Sequence, residues 1–243
     1  MKNILFIGIV LLTSCISQKP TDEAKQEMRS NQDATAFPIT IEVSKGAAFN
    51  YPTFAFWVED LEGNYIETLF VTNFIAKGIF KHGEIAPGKW SSIPGAVRRP
   101  AALPYWSHKR NIKAADGLYI PSPETAVPDA ISGATPQTGF VLKTSLSKKP
   151  SGKFRILLEV NQAWDSNQFW TNNKFQGDMN YFASLQPSLV YAAAIDPENM
   201  GEPVFLNPIG HGEPSGKNGN LFTDLSTLTT AKEIFLTIRT AKN

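Results

Sequence analysis

Residues 54–71, FAFWVEDLEGNYIETLFV, decide the fold class of this 243-residue chain. Every second side chain from Phe54 to Val58 is large and apolar, which is the period of a half-buried strand. Turn-forming residues at 61–64 separate this run from a second one at 65–71. The segment therefore predicts two strands joined by a hairpin.

The same alternation recurs on both sides of the hairpin. It predicts further strands near residues 39–43, 140–146, 154–160, 189–195 and 234–240. Many short strands with turn residues between them and little helix are typical of all-β proteins. We expect an immunoglobulin-like β-sandwich, the commonest architecture of this kind.

A long irregular insertion is expected between residues 72 and 139, where proline, glycine and aromatic residues are frequent. The pattern allows helix only near 73–80 and 109–115. An insertion of this length inside a compact domain is unusual, so it is either functional or contains helices and strands that the pattern does not reveal.

The N-terminus has the features of an export signal. Lys2 precedes an apolar run from Ile4 to Leu12, which has the length of a signal-peptide core and is too short to cross a bilayer. The sequence LTSC at 12–15 then resembles the lipobox of bacterial lipoproteins, with small residues before the cysteine. The resemblance implies removal of residues 1–14 and attachment of a diacylglycerol to Cys15.

Cys15 is the one cysteine in the sequence, so acylation would leave no thiol exposed to an oxidising compartment. We therefore expect an extracytoplasmic protein held on the membrane by a lipid anchor. The outer membrane is favoured, because Ile16 is not an obvious retention signal. A cleaved secretory signal with an incidental cysteine is the alternative.

The polar stretch after Cys15 predicts a flexible tether over residues 15–36, with a transient helix over 22–29. A single β-sandwich domain is then expected over 37–243. The hydrophobic content of 42% is sufficient for a packed core, and the net charge of +1 argues against nucleic acid as a partner.

The motif DAISGAT at 129–135 resembles the acceptor site for covalent flavin in extracytoplasmic flavoproteins, including subunits of sodium-pumping quinone reductases. In that family a flavin transferase uses FAD to attach FMN to the last hydroxyl as a phosphodiester. The resemblance implies that Thr135 is the acceptor. The matching recognition positions are Asp129, Ser132, Gly133 and Ala134.

The residue types suit this chemistry. Gly133 and Ala134 keep bulk away from the acceptor, and Gly133 permits backbone conformations that other residues avoid. Pro128 and Pro136 favour an extended, exposed loop. A carboxylate at Asp129 could orient a metal ion or a proton acceptor during the transfer. The alternative interpretation is a turn in which Asp129 and Ser132 only cap the backbone.

A wider resemblance links the segments 52–71, 98–110, 129–140 and 151–165 to the bacterial domain of unknown function 2271 family. That family implies a periplasmic location, an immunoglobulin-like fold and an association with flavin transfer. This chain departs from the family at 143–145, where Lys-Thr-Ser stands in place of the usual Trp-Asp-Gly turn. The departure puts the loop geometry there in doubt.

Two weaker candidates remain. Basic residues flank Tyr105 and Trp106 and could hold a flavin phosphate, although a solvated face over two buried aromatic rings is favoured; they are Arg98, Arg99, Lys109, Arg110 and Lys113. The pattern His-Gly-Glu occurs at 82–84 and 211–213, but its spacing does not require a metal, and no metal site is predicted.

Two functions follow from these observations. The first is an electron carrier with FMN on Thr135, which serves membrane reductases and other redox proteins of the envelope and has no catalytic activity of its own. The second is a binding or structural module that presents the aromatic loop 90–106 to a partner or a small ligand. Signatures of hydrolases and of phosphate loops are absent from the sequence.

Overall fold

The computed structural model describes residues 25–33, 36–80, 84–86, 89–90 and 93–241. The predicted signal peptide, residues 1–14, and the predicted acylation of Cys15 lie outside the described residues. The described chain is mostly β-strand. Its strands are β1 (Gln26–Arg29), β2 (Phe37–Lys45), β3 (Thr53–Asp60), β4 (Tyr65–Thr72), β5 (Ile79–Phe80), β6 (Glu84–Ala86), β7 (Lys89–Trp90), β8 (Gly95–Ala96), β9 (Ser132–Gly133), β10 (Phe140–Leu146), β11 (Phe154–Asn161), β12 (Leu189–Ile195), β13 (Asn207–His211) and β14 (Phe235–Ala241).

Helices are few and short. The α-helices are α1 (Asn73–Lys77), α2 (Pro104–Arg110) and α3 (Met179–Phe182), and single 3-10 turns occupy Pro123–Thr125, Asp129–Ile131 and Thr230–Glu233. Within the described ranges, no helix has the length and hydropathy needed to cross a membrane.

Two main sheets contain most of the strands. One has four strands in the order β1-β10-β2-β14, and the other has six in the order β13-β12-β11-β3-β4-β9. Neighbouring strands are antiparallel except for the pairs β1-β10 and β4-β9. The prediction of an all-β fold is confirmed, and each of the seven strands predicted from the alternation is present.

One apolar core joins the two sheets. Phe54 of the six-stranded sheet stacks on Phe140 of the four-stranded sheet, with ring centroids 5.3 Å apart. Phe37 meets Phe154 edge to face at 5.9 Å. These side chains belong to a single buried cluster with contributions from both sheets. Alternate residues of a strand point to the same side, so the other face of each strand needs a different cover.

The insertion covers the outer face of the six-stranded sheet. Trp57 of β3 and Leu157 of β11 point outward into a second buried cluster with Ile75, Leu103 and Trp106 of the insertion. Both faces of β3 are thereby buried, which explains why its residues are apolar almost without a break. In its described residues the insertion contains only short helices, short strands and turns, and its buried side chains form a packed layer on the sheet.

Strand β1 occupies part of the segment that was predicted to be a flexible tether. Residues 26–29 pair in parallel with β10, and Met28 is buried in the core between the two sheets. The hydroxyl of Ser30 donates to the carbonyl of Leu69 at 2.7 Å. A flexible tether through residue 36 and a transient helix over 22–29 are therefore wrong for the described residues 25–33. One apolar side chain at the right position and an open strand edge are sufficient to form β1.

Candidate functional site

The segment predicted to accept flavin begins at the edge of the six-stranded sheet. Ser132 and Gly133 form β9 and pair in parallel with Val71 and Thr72 of β4. A Cβ atom on Gly133 would lie 2.8 Å from the ring of Phe70. The expectation that this glycine supplies an unusual backbone conformation is wrong, since its φ is not in the left-handed region. Glycine is needed here because the backbone approaches an aromatic ring.

Thr135 lies in the loop between β9 and β10 and is half-buried, next to an exposed Ala134. It belongs to neither apolar cluster. Within the part of the chain that the structure describes, its hydroxyl makes no hydrogen bond. A second protein could therefore reach this hydroxyl without opening the core.

Two further hydroxyl groups flank Thr135 in the sequence. The Oγ of Ser132 and the Oγ1 of Thr138 are buried, and neither has a hydrogen-bond partner among the described residues. Buried polar atoms without partners are uncommon and costly. Each hydroxyl can donate one hydrogen bond, and each lies three residues from Thr135 in the sequence.

Asp129 lies at the start of the motif in a single 3-10 turn. Its exposed carboxylate pairs with Lys77 at 2.7 Å. The alternative interpretation, in which Asp129 and Ser132 cap the backbone, finds no support in the described side-chain hydrogen bonds of this turn. The motif therefore carries a surface ion pair at one end and a free hydroxyl at the other.

The basic residues around Tyr105 and Trp106 do not form one anion site. Arg98 pairs with Asp116, Lys109 reaches the carbonyl of Gly63, and both aromatic rings are buried. Arg110 and Lys113 lie over the rings of Trp106 and Tyr119 respectively. Only Arg99 points elsewhere, into the cleft described below.

The two His-Gly-Glu segments do not form a shared site in the described residues. Residues 82–83 lie outside the described residues. The Nδ1 of His211 is 2.8 Å from the carbonyl oxygen of Gly212, and burial lowers the pKa of this imidazole. Among the described residues, no three His, Cys, Asp or Glu side chains come close enough to share a metal ion.

A buried carboxylate fastens the insertion to the six-stranded sheet. Glu159 of β11 is fully buried and accepts hydrogen bonds from the backbone N–H groups of Tyr105 at 3.1 Å and Trp106 at 2.7 Å. The hydroxyl of Ser188 donates to the same carboxylate at 2.5 Å. Burial raises the pKa of Glu159 to about 7, while the three donors act against that rise. Its contacts are all within the protein, so we assign it a structural role.

Glu59 is a second buried carboxylate on this face. It accepts from the indole N–H of Trp57 at 2.9 Å and from the guanidinium of Arg155 at 2.7 Å. The ammonium of Lys109 lies 3.7 Å away. Each oxygen of the Glu59 carboxylate thus has a partner, and through Lys109 the group holds α2 to the sheet rather than facing a ligand.

An aromatic cleft lies at the far end of the same face. We use this name for the cavity of about 170 Å³ between β3, the insertion and the segment after β11. Its wall includes four aromatic side chains, one cation and several small or amide residues: Tyr51, Thr53, Phe74, Phe80, Arg99, Ala101, Ala102, Asn161, Ala163, Trp164, Asn180, Ala183 and Ser184.

The cleft is built around a stack of rings. The guanidinium of Arg99 lies 5.0 Å from the ring centroid of Phe80 and 5.3 Å from that of Trp164. Phe74 stacks on Phe80 at 5.6 Å. Cation–π and ring contacts of this kind stabilise a fixed arrangement, so the wall of the cleft is preorganised.

Backbone strain is concentrated around the cleft. Five described residues other than glycine have positive φ, and two of them, Tyr51 and Trp164, line the cleft at 50° and 57°. A third, Leu185 at 70°, follows the lining residue Ser184. Bulky side chains rarely adopt this region unless the surrounding structure enforces it, and such strain clusters at functional sites.

The cleft and the Thr135 loop occupy the same end of the molecule. Tyr51 lines both the cleft and a neighbouring hollow that Gln137 also lines. Phe74 is carried by α1, which contacts β9. Sequence reasoning did not find the cleft, because its wall is assembled from five separate segments. The sole local signal was the aromatic pair Phe74 and Phe80.

Comparisons of the chain with known protein families, with curated proteins and with solved structures found no match. The functional argument therefore rests on the Thr135 loop and the aromatic cleft themselves. Their geometry supports two kinds of chemistry, covalent modification of a hydroxyl and binding of a planar ligand.

Proposed function

We propose that this chain is a lipid-anchored electron carrier outside the cytoplasm, with FMN attached covalently to Thr135. In this proposal the two-sheet body is an immunoglobulin-like sandwich that holds the cofactor, and acylated Cys15 keeps it at the membrane, with the outer membrane favoured. Its partners are a flavin transferase and redox proteins of the envelope. When bound, the flavin supplies the electron transfer.

The observation that carries the proposal is the combination of an accessible acceptor and unsatisfied donors. Thr135 is half-buried in a loop outside both cores. The hydroxyls of Ser132 and Thr138 lack partners among the described residues, and the two oxygens of a phosphodiester that are not esterified are strong acceptors. An acceptor outside both cores, with hydroxyl donors three residues away on either side in the sequence, supports a phosphate ester at this position.

The attachment is a transfer of one phosphoryl group. The oxygen of Thr135 attacks the phosphorus that bears the riboflavin half of FAD, and the bond to the bridging oxygen of the pyrophosphate breaks. AMP leaves, and the proton of the threonine hydroxyl passes to a base on the transferase. Exposed Ala134 keeps bulk away from the attacking oxygen.

The test is co-expression of the full chain with a flavin transferase, followed by intact mass measurement of the membrane-extracted protein. We expect a mass increase equal to FMN less one water, together with flavin fluorescence in a denaturing gel. Thr135→Ser keeps the hydroxyl and should keep the label, whereas the matched variant Thr135→Val should lose it. Unlabelled wild type beside a labelled known acceptor in the same cells would refute the proposal.

Anchoring is tested separately in the same preparation. The acyl mass and the membrane fractionation should both disappear in Cys15→Ala. Retention of the protein in the membrane fraction after this substitution would contradict the lipid anchor.

The aromatic cleft favours a second candidate, a binding module of the envelope. The expected binding surface was the loop 90–106, but Trp106 is fully buried and cannot contact a partner. Tyr51 and Trp164 are exposed instead, and they line a cavity. If Thr135 carries no flavin in its own cell, ligand binding at this cleft is the function that remains.

A further inference from the structure

We infer that the flavin of the proposed function has a noncovalent seat beside the Thr135 loop, in which Lys45 pairs with the phosphate and Tyr51 contacts the ring system. The seat is the hollow that we call the Lys45 hollow, lined by Lys45, Phe49, Asn50, Tyr51 and Gln137. The identity of the ligand as FMN rests on the proposed function. The class of ligand, a phosphate ester that carries a planar ring, follows from the hollow itself.

The course of the chain places the Lys45 hollow beside Thr135. Gln137 is two residues after Thr135, so their Cα atoms are at most about 7 Å apart. Two residues further on, Gly139 packs against the end of β2, where a Cβ atom would lie 3.3 Å from the backbone nitrogen of Lys45. The riboflavin chain of FMN is longer than the separation of Thr135 from Gln137. A flavin phosphate attached to Thr135 therefore reaches this hollow.

Lys45 places a positive charge at the rim of the core. It continues the alternation of β2, in which the residues at positions 37, 39, 41 and 43 are buried in the core between the sheets. Lys45 is exposed, and its ammonium lies 5.8 Å from the ring centroid of Phe49. The stem of the side chain thus covers an apolar ring while the charge stays in the hollow.

The polar groups of the hollow favour an anion. Lys45 is the single charged residue among the described residues that line it, and no carboxylate in the described part of the chain pairs with this ammonium. Glu233 accepts a backbone hydrogen bond from Ala48 at 3.1 Å, but it does not line the hollow. The amides of Asn50 and Gln137 supply further N–H donors. A phosphate oxygen accepts hydrogen bonds from all of these groups.

Tyr51 favours a ligand with a planar ring. It is 66% exposed and has a φ of 50°, so a strained backbone position presents a ring to water. The Lys45 hollow has a volume of about 220 Å³, whereas sites that enclose a drug-sized ligand have about 300–1,000 Å³. The hollow therefore takes one end of a riboflavin phosphate, and the exposed face of Tyr51 can stack on the rest.

The first experiment uses the full chain with Thr135→Val, which cannot form the ester, and titrates it with FMN, riboflavin and inorganic phosphate by calorimetry. We expect FMN to bind about fivefold more tightly than riboflavin, the factor that an exposed ion pair supplies, and the difference to shrink in high salt. Inorganic phosphate should bind more weakly than FMN. Equal affinity for FMN and riboflavin, or no binding of FMN at millimolar concentration, would overturn the inference.

Two variants in the same background assign the roles. Lys45→Met should reduce the affinity for FMN about fivefold and leave that for riboflavin unchanged. Lys148→Met is the matched control, because Lys148 is also exposed and follows the opposite end of β10 from the Thr135 loop. Tyr51→Asn removes the ring at a φ that asparagine tolerates, and it should weaken the binding of both flavins about fivefold or more. Unchanged affinity for FMN in either variant would refute the role assigned to that residue.

The seat and the covalent attachment fail separately. If the transferase labels wild type while the Thr135→Val chain binds no FMN, the seat is wrong and the attachment stands. If the transferase leaves wild type unlabelled while the chain binds FMN through Lys45, the attachment is wrong and the seat stands.

Discussion

Gly212 is the position where the addition of one methyl group should disturb the most. A Cβ atom there would lie 2.5 Å from the ring carbon Cγ of Pro104, 2.5 Å from the Oγ of Ser188 and 2.9 Å from an Oε1 of Glu159. None of these atoms can move freely. Pro104 begins α2, and Ser188 donates to the carboxylate of Glu159 at 2.5 Å.

The expected loss of stability follows from these contacts. Overpacking of a filled site costs about 1–3 kcal/mol. Displacement of the Ser188 hydroxyl weakens a hydrogen bond to Glu159 that is worth about 1 kcal/mol when the carboxyl is protonated and about 1.5–3 kcal/mol when it is charged. Because the two effects overlap, we expect Gly212→Ala to lower the free energy of unfolding by about 3 kcal/mol. For a chain of this size that corresponds to a fall in Tm of about 6–12 °C.

Thermal unfolding followed by circular dichroism and a urea titration measure this loss. Gly152→Ala is the matched control, because nothing lies within 4 Å of a Cβ atom at Gly152. The control should change the Tm little or raise it slightly. If Gly212→Ala unfolds at the same temperature as Gly152→Ala, the packing of Gly212 against Pro104, Ser188 and Glu159 is looser than the contacts indicate and the reasoning is wrong.

Three further outcomes are expected. Burial raises the pKa of Glu159 to about 7 from its usual 4.5, so folding favours the protonated form, and the free energy of unfolding should fall as pH rises from about 4.5 through about 7. In urea titrations at several pH values, Glu159→Gln should remove most of this fall, and parallel pH profiles of wild type and variant would contradict the prediction. Thr138→Val deletes a buried hydroxyl that has no partner among the described residues, so the unmodified chain should gain up to about 1 kcal/mol by thermal unfolding; a loss would reveal a partner. Arg155→Met removes a partner of the buried carboxylate of Glu59 and should lower the free energy of unfolding, measured in urea, by about 2–4 kcal/mol. The double variant with Glu59→Met should recover most of that free energy, and a double variant as unstable as the single one would refute this pairing.

Much of the fold could be predicted because the strands alternate regularly. From Phe154 to Val160 every second residue enters the core between the sheets, and the period identifies the strand without knowledge of its neighbours. β1 could not be found this way, since its single buried side chain, Met28, gives no period. β13 includes proline and glycine, which hide a strand at a sheet edge.

Helix α2 of the insertion had a sequence signal for its first residue that the prediction missed. Proline is favoured at the first position of a helix, and Pro104 occupies that position in α2, five residues before the predicted start at 109. The prediction of helix near 73–80 was closer, because α1 covers 73–77 before Gly78 ends it with a left-handed φ of 60°.

The Thr135 segment and the aromatic cleft differ in how far sequence alone could predict them. DAISGAT is contiguous, so its residues and their order can be read directly along the chain. The cleft is lined by Tyr51, Arg99 and Trp164, which are far apart in sequence and come to one cavity only in the folded chain. Pairings of this range leave no local pattern.

The pairing of β1 with the sheet limits how far the domain can lie from the membrane. With Cys15 acylated as proposed, only about eleven residue steps separate the membrane surface from Gln26, which is fixed to the sheet. Such a segment spans at most about 40 Å when fully extended and about 20 Å as a random coil. Gln26 would therefore stay within that distance of the lipid headgroups, and the anchored domain could meet redox partners only near the membrane.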